Sequence, residues 1–508
     1  MAAYKRAAAL FVALCIVFVS ACSGAAQKNQ NGTENKDSGP NPAQTAPEAA
    51  DPRRSAKDSL PDNLDFGGAD IRILNRSSAV SYTTGYLREM EAEVDSGDVV
   101  EDAIYKRNRS VEGRLGVNIV SIEIPGGWDE QATFLNALRN SVSAGADDYD
   151  FVAAYSYYIT PVALDGLLYN LKTVDYLSPA QPWWSEDCAN EMTVDGKLYF
   201  IAGDLAISLL KNMYVTFFNK QLAQDLSMEN LYQLVLNGGF TMEKLKELTR
   251  DTWRDLNGDG KPDKGDAFGY AITTGTYLDA MFATLDNPIT EKNEYGIPEL
   301  SVNTPKTAQI VERLYDLLYD NANNSYAVPE AQNHIDDIMA MFPENRVLFM
   351  PGTLATNEEL RAMNSDYGII PYPKFDKDQK QYYTASQDSF SIFSIPVTNT
   401  RLDATAATME ALCAESYRKV TPAYYEIALK KKYARDDESS QMIDIIRDGL
   451  RFNFGFLNSM SIGPFIGGMF RDLMAAKSKD FASYYDKKAP KFEKDLEKLI
   501  AAYEKLPG

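Results

Sequence analysis

The first third of the chain contains three short apolar segments: DIRILN at residues 70–75, VNIVSIEI at 117–124 and YDFVAAY at 149–155. The residues between successive segments carry apolar side chains at a helical period. A β-α-β-α-β order favours a parallel sheet covered by helices, so the sequence predicts an α/β fold. Ligands bind beyond the carboxyl ends of such strands, which makes the loops after Asn75 and after Tyr155 the first candidates for a binding site.

A longer apolar stretch follows at residues 198–219, and only Gly203-Asp204 and Lys211-Asn212 interrupt it. The pattern predicts two buried strands with a break, as expected where a chain crosses between lobes. Helices dominate from there onward. Thr241 is placed to cap a helix that starts at Met242.

The composition excludes several classes of function. With 508 residues and 45% hydrophobic content, the chain has material for two lobes. Its net charge of −21 argues against nucleic acid or an anionic membrane surface as a partner. The one histidine, His334, lies in a polar segment where we expect a surface residue rather than a member of a Ser–His–Asp or Cys–His site, and one histidine excludes multi-histidine metal chemistry. Cys188 and Cys413 could pair in an extracytoplasmic setting, and two buried free thiols are the equal alternative.

The amino terminus has the order of a secretory signal. A basic start precedes an apolar run at residues 7–19 that is too short to span a bilayer, and small residues lead to Cys22. Residues 1–22 look like a bacterial lipoprotein signal, in which Cys22 carries the fatty-acyl (palmitate) anchor; an ordinary secretory peptide is the alternative. Residues 23–60 have almost no large apolar side chain, so we expect a disordered tether. The sequence thus predicts a body tethered at the extracytoplasmic face of the bacterial membrane.

A twelve-residue loop after the Thr241 helix has the spacing of an EF-hand loop. Its ligands would be the side chains or carbonyls of Asp255, Asn257, Asp259, Lys261, Asp263 and Asp266. Position twelve is Asp266 rather than glutamate, and the next residues read as a strand, so the exiting helix is missing. The sequence predicts one structural Ca²⁺ ion here, and a solvated acidic turn is the alternative.

Aromatic residues are the second signal, because the chain has 30 tyrosines and several lie at predicted loop starts. Flat apolar faces with a polar rim suit stacking on sugar rings. The candidates for ligand binding are Tyr82, Tyr155, Tyr157, Trp183, Tyr277 and Tyr372. For each of them, a place in the core or between lobes is the alternative. Because Trp183 and Trp184 are adjacent, we expect at most one of them to face a ligand.

Several segments, in this order and spacing, support a family resemblance. They are DAIYKRN at 102–108, YDFVAAY at 149–155, DGLL at 165–168, GKLYF at 196–200, FNK at 218–220, NRVLFMPG at 345–352 and YGIIPYPK at 367–374. From about Leu64 to the carboxyl terminus, the chain resembles the sugar-type extracellular solute-binding proteins, family 1, that serve bacterial ABC importers.

The resemblance implies two α/β lobes, each a mostly parallel sheet flanked by helices, with a hinge between them. By position, the chain would cross between lobes near Asp204, Ser389 and Arg451. One lobe would hold residues 61–205 and 390–450, and the other would hold residues 206–389 and 451–508.

The resemblance also implies where the solute is held. Contacts would come from the loops that carry Tyr82, Tyr155 and Tyr157, from the loop around Tyr277, and from the turn at residues 351–354, which includes Thr353. In maltose-type members that turn carries a stacking aromatic, and its absence here argues against maltodextrin. The implied partners are ABC permease subunits and a carbohydrate, with the receptor acting as a monomer.

Three function classes follow. A receptor for an importer needs a cleft, a hinge and a tether, and no catalytic group. A surface-anchored glycosidase needs two carboxylates roughly 5–10 Å apart across a sugar bond, and the sequence shows nothing that pairs Asp147, Asp148 and Asp150 in this way. A sensor lipoprotein that reports to a membrane kinase has the same sequence features as the receptor. The sequence favours a non-enzymatic receptor with an oligosaccharide solute, ahead of a peptide or another polar solute.

Overall fold

The computed structural model describes residues 52–77, 88–93, 96–321, 323–425, 437–463 and 465–506. The signal segment, Cys22 and Tyr82 lie outside these residues. The described part of the chain has two lobes, each built on a β-sheet with flanking helices, as the predicted α/β fold requires.

The strands are β1 (Ala69–Arg76), β2 (Val117–Ile124), β3 (Phe151–Tyr155), β4 (Tyr214–Asn219), β5 (Phe268–Thr273), β6 (Thr290–Lys292), β7 (Pro298–Leu300), β8 (Ser325–Val328), β9 (Val347–Thr353), β10 (Tyr367–Ile370) and β11 (Ser391–Ser394). The α-helices are α1 (Val99–Leu115), α2 (Gln131–Ser143), α3 (Ser156–Ile159), α4 (Glu186–Met192), α5 (Ile207–Lys211), α6 (Lys220–Asp225), α7 (Leu231–Leu236), α8 (Met242–Leu248), α9 (Ala280–Thr284), α10 (Pro305–Leu318), α11 (Gln332–Met341), α12 (Thr356–Leu360), α13 (Leu402–Glu415), α14 (Asp437–Asp448), α15 (Phe454–Leu457), α16 (Met469–Ala475) and α17 (Phe481–Lys505).

The first sheet has the strand order β11-β3-β1-β2. β1 pairs in parallel with β2 and β3, while β11 pairs antiparallel with β3. Asp98 begins the connecting helix α1 by accepting the backbone N–H groups of Val100 and Glu101, and Gly116 ends it in the left-handed conformation. The predicted β-α-β-α-β order is therefore confirmed.

The second sheet has the order β10-β4-β9-β5-β8. β5 is parallel to β8 and β9, but β4 is antiparallel to β9 and β10. This sheet is mixed, so the mostly parallel arrangement that the resemblance implied holds only for the first sheet. Helix α8 begins where expected, with the Thr241 side chain accepting from the backbone N–H of Lys244.

The apolar stretch at residues 198–219 forms one strand, β4, preceded by the short helix α5. Ile201 and Gly203 make only single-residue bridges, to Phe393 and Trp184. The prediction of two strands was therefore wrong for the first half. The backbone of residues 198–203 pairs only with isolated residues of neighbouring segments, so no continuous β-ladder forms there.

Three stretches of chain are joined to one another, and two of them include the predicted crossing positions Ser389 and Arg451. Single-residue bridges join Met213 to Ser386 and Thr384 to Leu450. We call residues 209–213, 384–391 and 449–454 the crossing segments. The residue boundaries of the two lobes stay a prediction.

Residues near the predicted end of the tether pack on the body. Asp58 pairs with Arg114 at 2.7 Å, and Leu60 is 6% exposed. The expected disorder therefore does not extend to residues 58–60.

Cys188 and Cys413 are buried free thiols, which decides between the two alternatives for them. Among the helices that the structure describes, none combines the length and apolar character needed to cross a bilayer.

Candidate functional site

Strand β3 ends at Tyr155, which the sequence places at the start of a binding loop. The Tyr155 hydroxyl donates to Asp388 Oδ1 at 3.0 Å, and the Ser156 hydroxyl donates to the Asp388 carbonyl. The Arg76 guanidinium lies 5.2 Å from the centroid of the Tyr155 ring and donates to the Ser389 carbonyl at 2.8 Å. The carboxyl ends of β1 and β3 are thereby tied to the middle crossing segment.

Two buried carboxylates and one guanidinium form a charged cluster, which we define as Asp279, Asp388 and Arg471. Asp279 is 5% exposed and Asp388 is 7% exposed. Arg471 Nε donates to Asp279 Oδ1 at 2.6 Å, and Nη2 contacts Oδ2. This two-point contact fixes Arg471 beside Asp279 at the wall of the site.

Burial raises the pKa of Asp388, while the charge of Arg471 and the Tyr155 hydroxyl oppose that rise. Burial also raises the pKa of Asp279, and the guanidinium opposes this rise as well. For Arg471, burial lowers the pKa, but the two carboxylates more than compensate and it ends above its ordinary value. Arg471 therefore stays cationic, and the cluster holds two acids for one base.

An aromatic patch lies next to the charged cluster. The Trp128 ring centroid is 6.4 Å from that of Tyr155 and 6.3 Å from that of Tyr157. The Tyr157 ring centroid in turn lies 5.6 Å from that of Phe456 and 5.8 Å from that of Phe465. Trp128 is 43% exposed, so one face of this patch is open to a ligand.

Phe465 reaches Tyr157 because the chain around it is shaped by glycine. Phe465 has φ 61°, a left-handed conformation that is unusual for a bulky residue. A Cβ on Gly468 would lie 2.1 Å from Phe465 Cδ1, and one on Gly467 would lie 3.1 Å from the Tyr157 hydroxyl. Side chains at both glycines would displace the rings, which makes the glycines a condition of the contact.

A cavity of about 460 Å³ adjoins both the charged cluster and the aromatic patch. Asp279 belongs to the cavity lining and to the charged cluster, and Phe456 belongs to the lining and to the aromatic patch. This volume lies within the usual range of small-molecule sites. Six aromatic rings line it: Tyr214, Phe282, Tyr383, Phe390, Phe452 and Phe456. Its charged lining residues are Asp187, Glu191, Asp279, Asp286, Glu291, Lys292 and Arg451.

Two of these carboxylates anchor the third crossing segment. Asp187 Oδ2 accepts the backbone N–H of Phe452 at 2.6 Å, and Glu191 Oε2 accepts that of Phe454 at 2.9 Å. Burial raises the pKa of both carboxyls, and the donated N–H groups oppose this. Helix α4 thus holds the crossing segment against the cavity wall.

Three of the predicted site residues contact the cavity wall without lining the cavity. The Tyr214 ring, which lines it, lies 6.1 Å from Tyr277 and 5.8 Å from Tyr372. Thr353 is opposite Tyr214 in the register of β4 and β9. Tyr372 is 2% exposed and packs behind Tyr214, and its role in binding stays a prediction.

Trp183 is not brought to this site. It is 1% exposed, and its Nε1 donates to Glu410 Oε1 at 3.1 Å, while Trp184 Nε1 donates to Oε2 of the same carboxylate at 2.8 Å. The two indoles point to one place because they lie in a turn, where the alternation expected of a strand does not hold. Burial raises the pKa of Glu410 to about 7, and its three donors, Trp184, Ser178 and Trp183, oppose this rise.

The predicted calcium loop is folded as a series of tight turns. Asp255 accepts the backbone N–H groups of Gly258 and Gly260, and Asp259 accepts that of Lys261. These carboxylates are exposed and keep lone pairs for a cation. Within the described residues, no group of three or more Asp, Glu, His or Cys side chains is arranged to hold a metal ion.

Asp266, at the twelfth position of this loop, is fully buried. Its Oδ1 accepts from Leu256 at 3.0 Å, and its Oδ2 accepts from Asp263 and from the Trp253 indole, both at 3.2 Å. Burial pushes its pKa up, but these hydrogen bonds hold it below the ordinary value. Asp266 fits an anchoring role better than that of a bidentate ligand.

Sequence reasoning missed the most charged part of the site. Asp279, Asp388 and Arg471 are separated by 83 residues or more in the sequence, and no local motif connects them. Trp128 offered a weak signal, because it follows Gly126-Gly127 in the loop after β2.

No protein-family model and no curated protein matches this chain. Among solved structures, the chain is similar to a cyclo/maltodextrin-binding protein complexed with maltotetraose, with a TM-score of 0.55 and 13% identity over 85% of this chain and 97% of that chain. It is similar to the extracellular solute-binding protein from Staphylococcus aureus in complex with maltose, with a TM-score of 0.55 and 13% identity over 85% and 98% of the two chains. An ABC substrate-binding protein from Listeria monocytogenes in complex with cycloalternan has a TM-score of 0.50 and 12% identity over 87% and 100%. These likenesses show the fold.

Proposed function

From the two-lobed fold of the sugar-type solute-binding proteins, we propose that this chain is a receptor that captures a carbohydrate, with an oligosaccharide as the first candidate. The solute is held where the carboxyl ends of the strands meet the crossing segments. The receptor binds its solute without chemical change. The resemblance to solute-binding proteins, stated from the sequence, agrees with this fold.

The observation that carries the proposal is the combination of aromatic rings and carboxylates at the crossing segments. The charged cluster supplies hydrogen-bond acceptors, and the aromatic patch supplies apolar faces beside them. Sugar rings present apolar C–H faces and hydroxyl edges, so they match both. The cavity of about 460 Å³ is also large enough for sugar units.

The placement of the receptor is part of the proposal. An acyl group on Cys22 would hold the body at the outer face of the cell membrane, and a monomeric receptor would hand the solute to ABC permease subunits. The support is the signal sequence and the acidic composition, which disfavours direct binding to an anionic surface.

We also propose that the loop at residues 255–266 binds one structural Ca²⁺ ion. Asp255, Asn257, Asp259 and Asp263, with the Lys261 carbonyl, are the oxygen donors that calcium prefers. Their separation from the cavity lining indicates a role in holding the turn between α8 and β5.

The test of carbohydrate capture is a thermal-shift and calorimetric screen of neutral mono- and oligosaccharides, amino sugars and short peptides. A bound solute at a hundred times its Kd should stabilise the protein by about 2.7 kcal/mol. Binding should also reduce the radius of gyration measured by small-angle scattering. Release of reducing ends would instead support a glycosidase, and binding of peptides alone would contradict the proposal.

A matched pair of variants locates the site. Trp128→Ala removes a ring that is 43% exposed beside Tyr155, so it should weaken solute binding by about tenfold or more with little change in stability. Leu236→Ala removes a side chain that is 45% exposed on helix α7 and does not line the cavity, and binding should stay unchanged. Equal effects of the two would place the solute elsewhere.

A further inference from the structure

The charges around the cavity are unequal. Five carboxylates line it against two cations, and the sum is negative. Arg471 already balances the charge of Asp279, and Asp388 adds a further carboxylate beside this pair. The net charge of the whole chain, −21, has the same sign. An anion entering this cavity would meet like charge at close range.

The cations at the cavity are already engaged by protein atoms. Lys292 Nζ donates to the Thr193 carbonyl at 2.7 Å and to that of Asn190, at the end of helix α4. Arg451 Nη1 donates to the Leu450 carbonyl at 2.9 Å, and its guanidinium lies 5.0 Å from the centroid of the Tyr383 ring. Lys292 is thus held by two backbone carbonyls, and Arg451 spends one of its five N–H donors on the chain next to it.

The acceptors, by contrast, have capacity left. Asp187 and Glu191 each spend one oxygen on a backbone N–H, and in the described part of the chain neither forms an ion pair within 4.0 Å. Burial raises the pKa of both carboxyls, and the donated N–H groups and the charges of Arg451 and Lys292 offset this rise only in part. Asn287 is 4% exposed and its Nδ2 lacks a partner, so the cavity also has a donor for a sugar oxygen.

Resting on the proposed function, we propose that the solute is a saccharide that presents hydrogen-bond donors and no anionic group. Amino sugars bind best, neutral sugars bind, and uronic acids are rejected. An ammonium brings three donors and a positive charge to Asp187 and Glu191, and the surrounding aromatic faces also favour a cation. A carboxylate would lose its hydration in a cavity where carboxylates outnumber cations by five to two.

Calorimetry with matched sugars tests this selectivity. The probes are mono- and disaccharides of gluco, galacto and manno configuration, each as the C2 amine, the neutral sugar and the C6 uronate, at pH 6.5. In each configuration that binds, the amine should bind at least tenfold tighter than the neutral sugar, and the uronate at least tenfold weaker. Uronate binding equal to neutral binding would overturn the inference and leave the proposed function standing. Failure of every form would refute both.

Two isosteric variants assign the selectivity to the cavity. Asp187→Asn and Glu191→Gln keep an oxygen for the crossing-segment N–H groups but remove the charge. Each should lower the ratio of amine to neutral affinity about tenfold. Glu243→Gln removes an exposed carboxylate on α8 that does not line the cavity, and the ratio should not change. An unchanged ratio in both cavity variants would overturn the assignment.

Discussion

Replacing Tyr155 with phenylalanine should cost stability through one hydrogen bond. The hydroxyl donates to Asp388 Oδ1 at 3.0 Å, both groups are buried, and Asp388 belongs to the middle crossing segment. Phenylalanine keeps the ring on which Arg76 lies, so only the bond is lost. A hydrogen bond to a charged acceptor contributes about 1.5–3 kcal/mol, and the free energy of unfolding should fall by that amount at pH 8.

The penalty should also depend on pH, with a defined sign. The Tyr155 hydroxyl lowers the pKa of Asp388 against the rise that burial causes. Without it the pKa rises further, so the folded variant holds the Asp388 proton more tightly than the folded wild type. The penalty of Tyr155→Phe is therefore largest at pH 8 and shrinks as the pH falls and Asp388 becomes protonated.

The assay is urea denaturation of both proteins at pH 5 and pH 8. Tyr295→Phe is the control, because this ring is 79% exposed, and its free energy of unfolding should change by less than about 0.5 kcal/mol. On an Asp388→Asn background the penalty should fall to about 1 kcal/mol, the value for a neutral hydrogen bond. A penalty below about 0.5 kcal/mol, or one that grows as the pH falls from 8 to 5, would refute the reasoning.

Three further predictions follow. Gly468→Ala should displace the Phe465 ring and weaken solute binding measured by calorimetry. The control Gly113→Ala, in helix α1 where a Cβ meets open space, should stabilise the protein by about 0.5–1 kcal/mol and leave binding unchanged. Equal solute binding by the two variants would contradict this prediction. Chelation of calcium should lower the melting temperature, and Asp259→Ala should remove that sensitivity; a flat calcium titration of chelator-stripped protein would leave an acidic turn. Burial raises the pKa of Glu410 from 4.5 to about 7, so stability should fall by roughly 3 kcal/mol as the pH rises through that window, and denaturation of Glu410→Gln should lack this slope.

The succession of strands and helices in the first sheet, β-α-β-α-β, was readable from the sequence because its signals are local. Each strand is a short apolar run, and in each connecting helix apolar side chains recur at the helical period. The same approach failed at residues 198–203, where an apolar run forms isolated bridges. Apolarity reports burial there, but the available pairing partners decide whether a ladder forms.

The candidate site shows the same division. The position of Tyr155 at the carboxyl end of a strand was readable because the apolar run before it is local, and its role in binding stays a prediction. Trp183 looked equally suitable, yet the structure gives its indole N–H to Glu410, which lies 227 residues away. The sequence around a tyrosine or tryptophan at a loop start does not indicate whether its ring will face the core or the binding site.

The sequence by itself determined the α/β class, the β-α-β-α-β succession in the first third of the chain and the start of helix α8, because these depend on neighbours within a few turns. Its single histidine also excluded a multi-histidine metal site. Only the tertiary structure decided that Asp279, Asp388 and Arg471 meet, and that the carboxylates of the cavity outnumber its cations. Such contacts form between residues far apart in the chain when the crossing segments bring the sheets together, and a sum over the whole sequence does not show where its charges face each other.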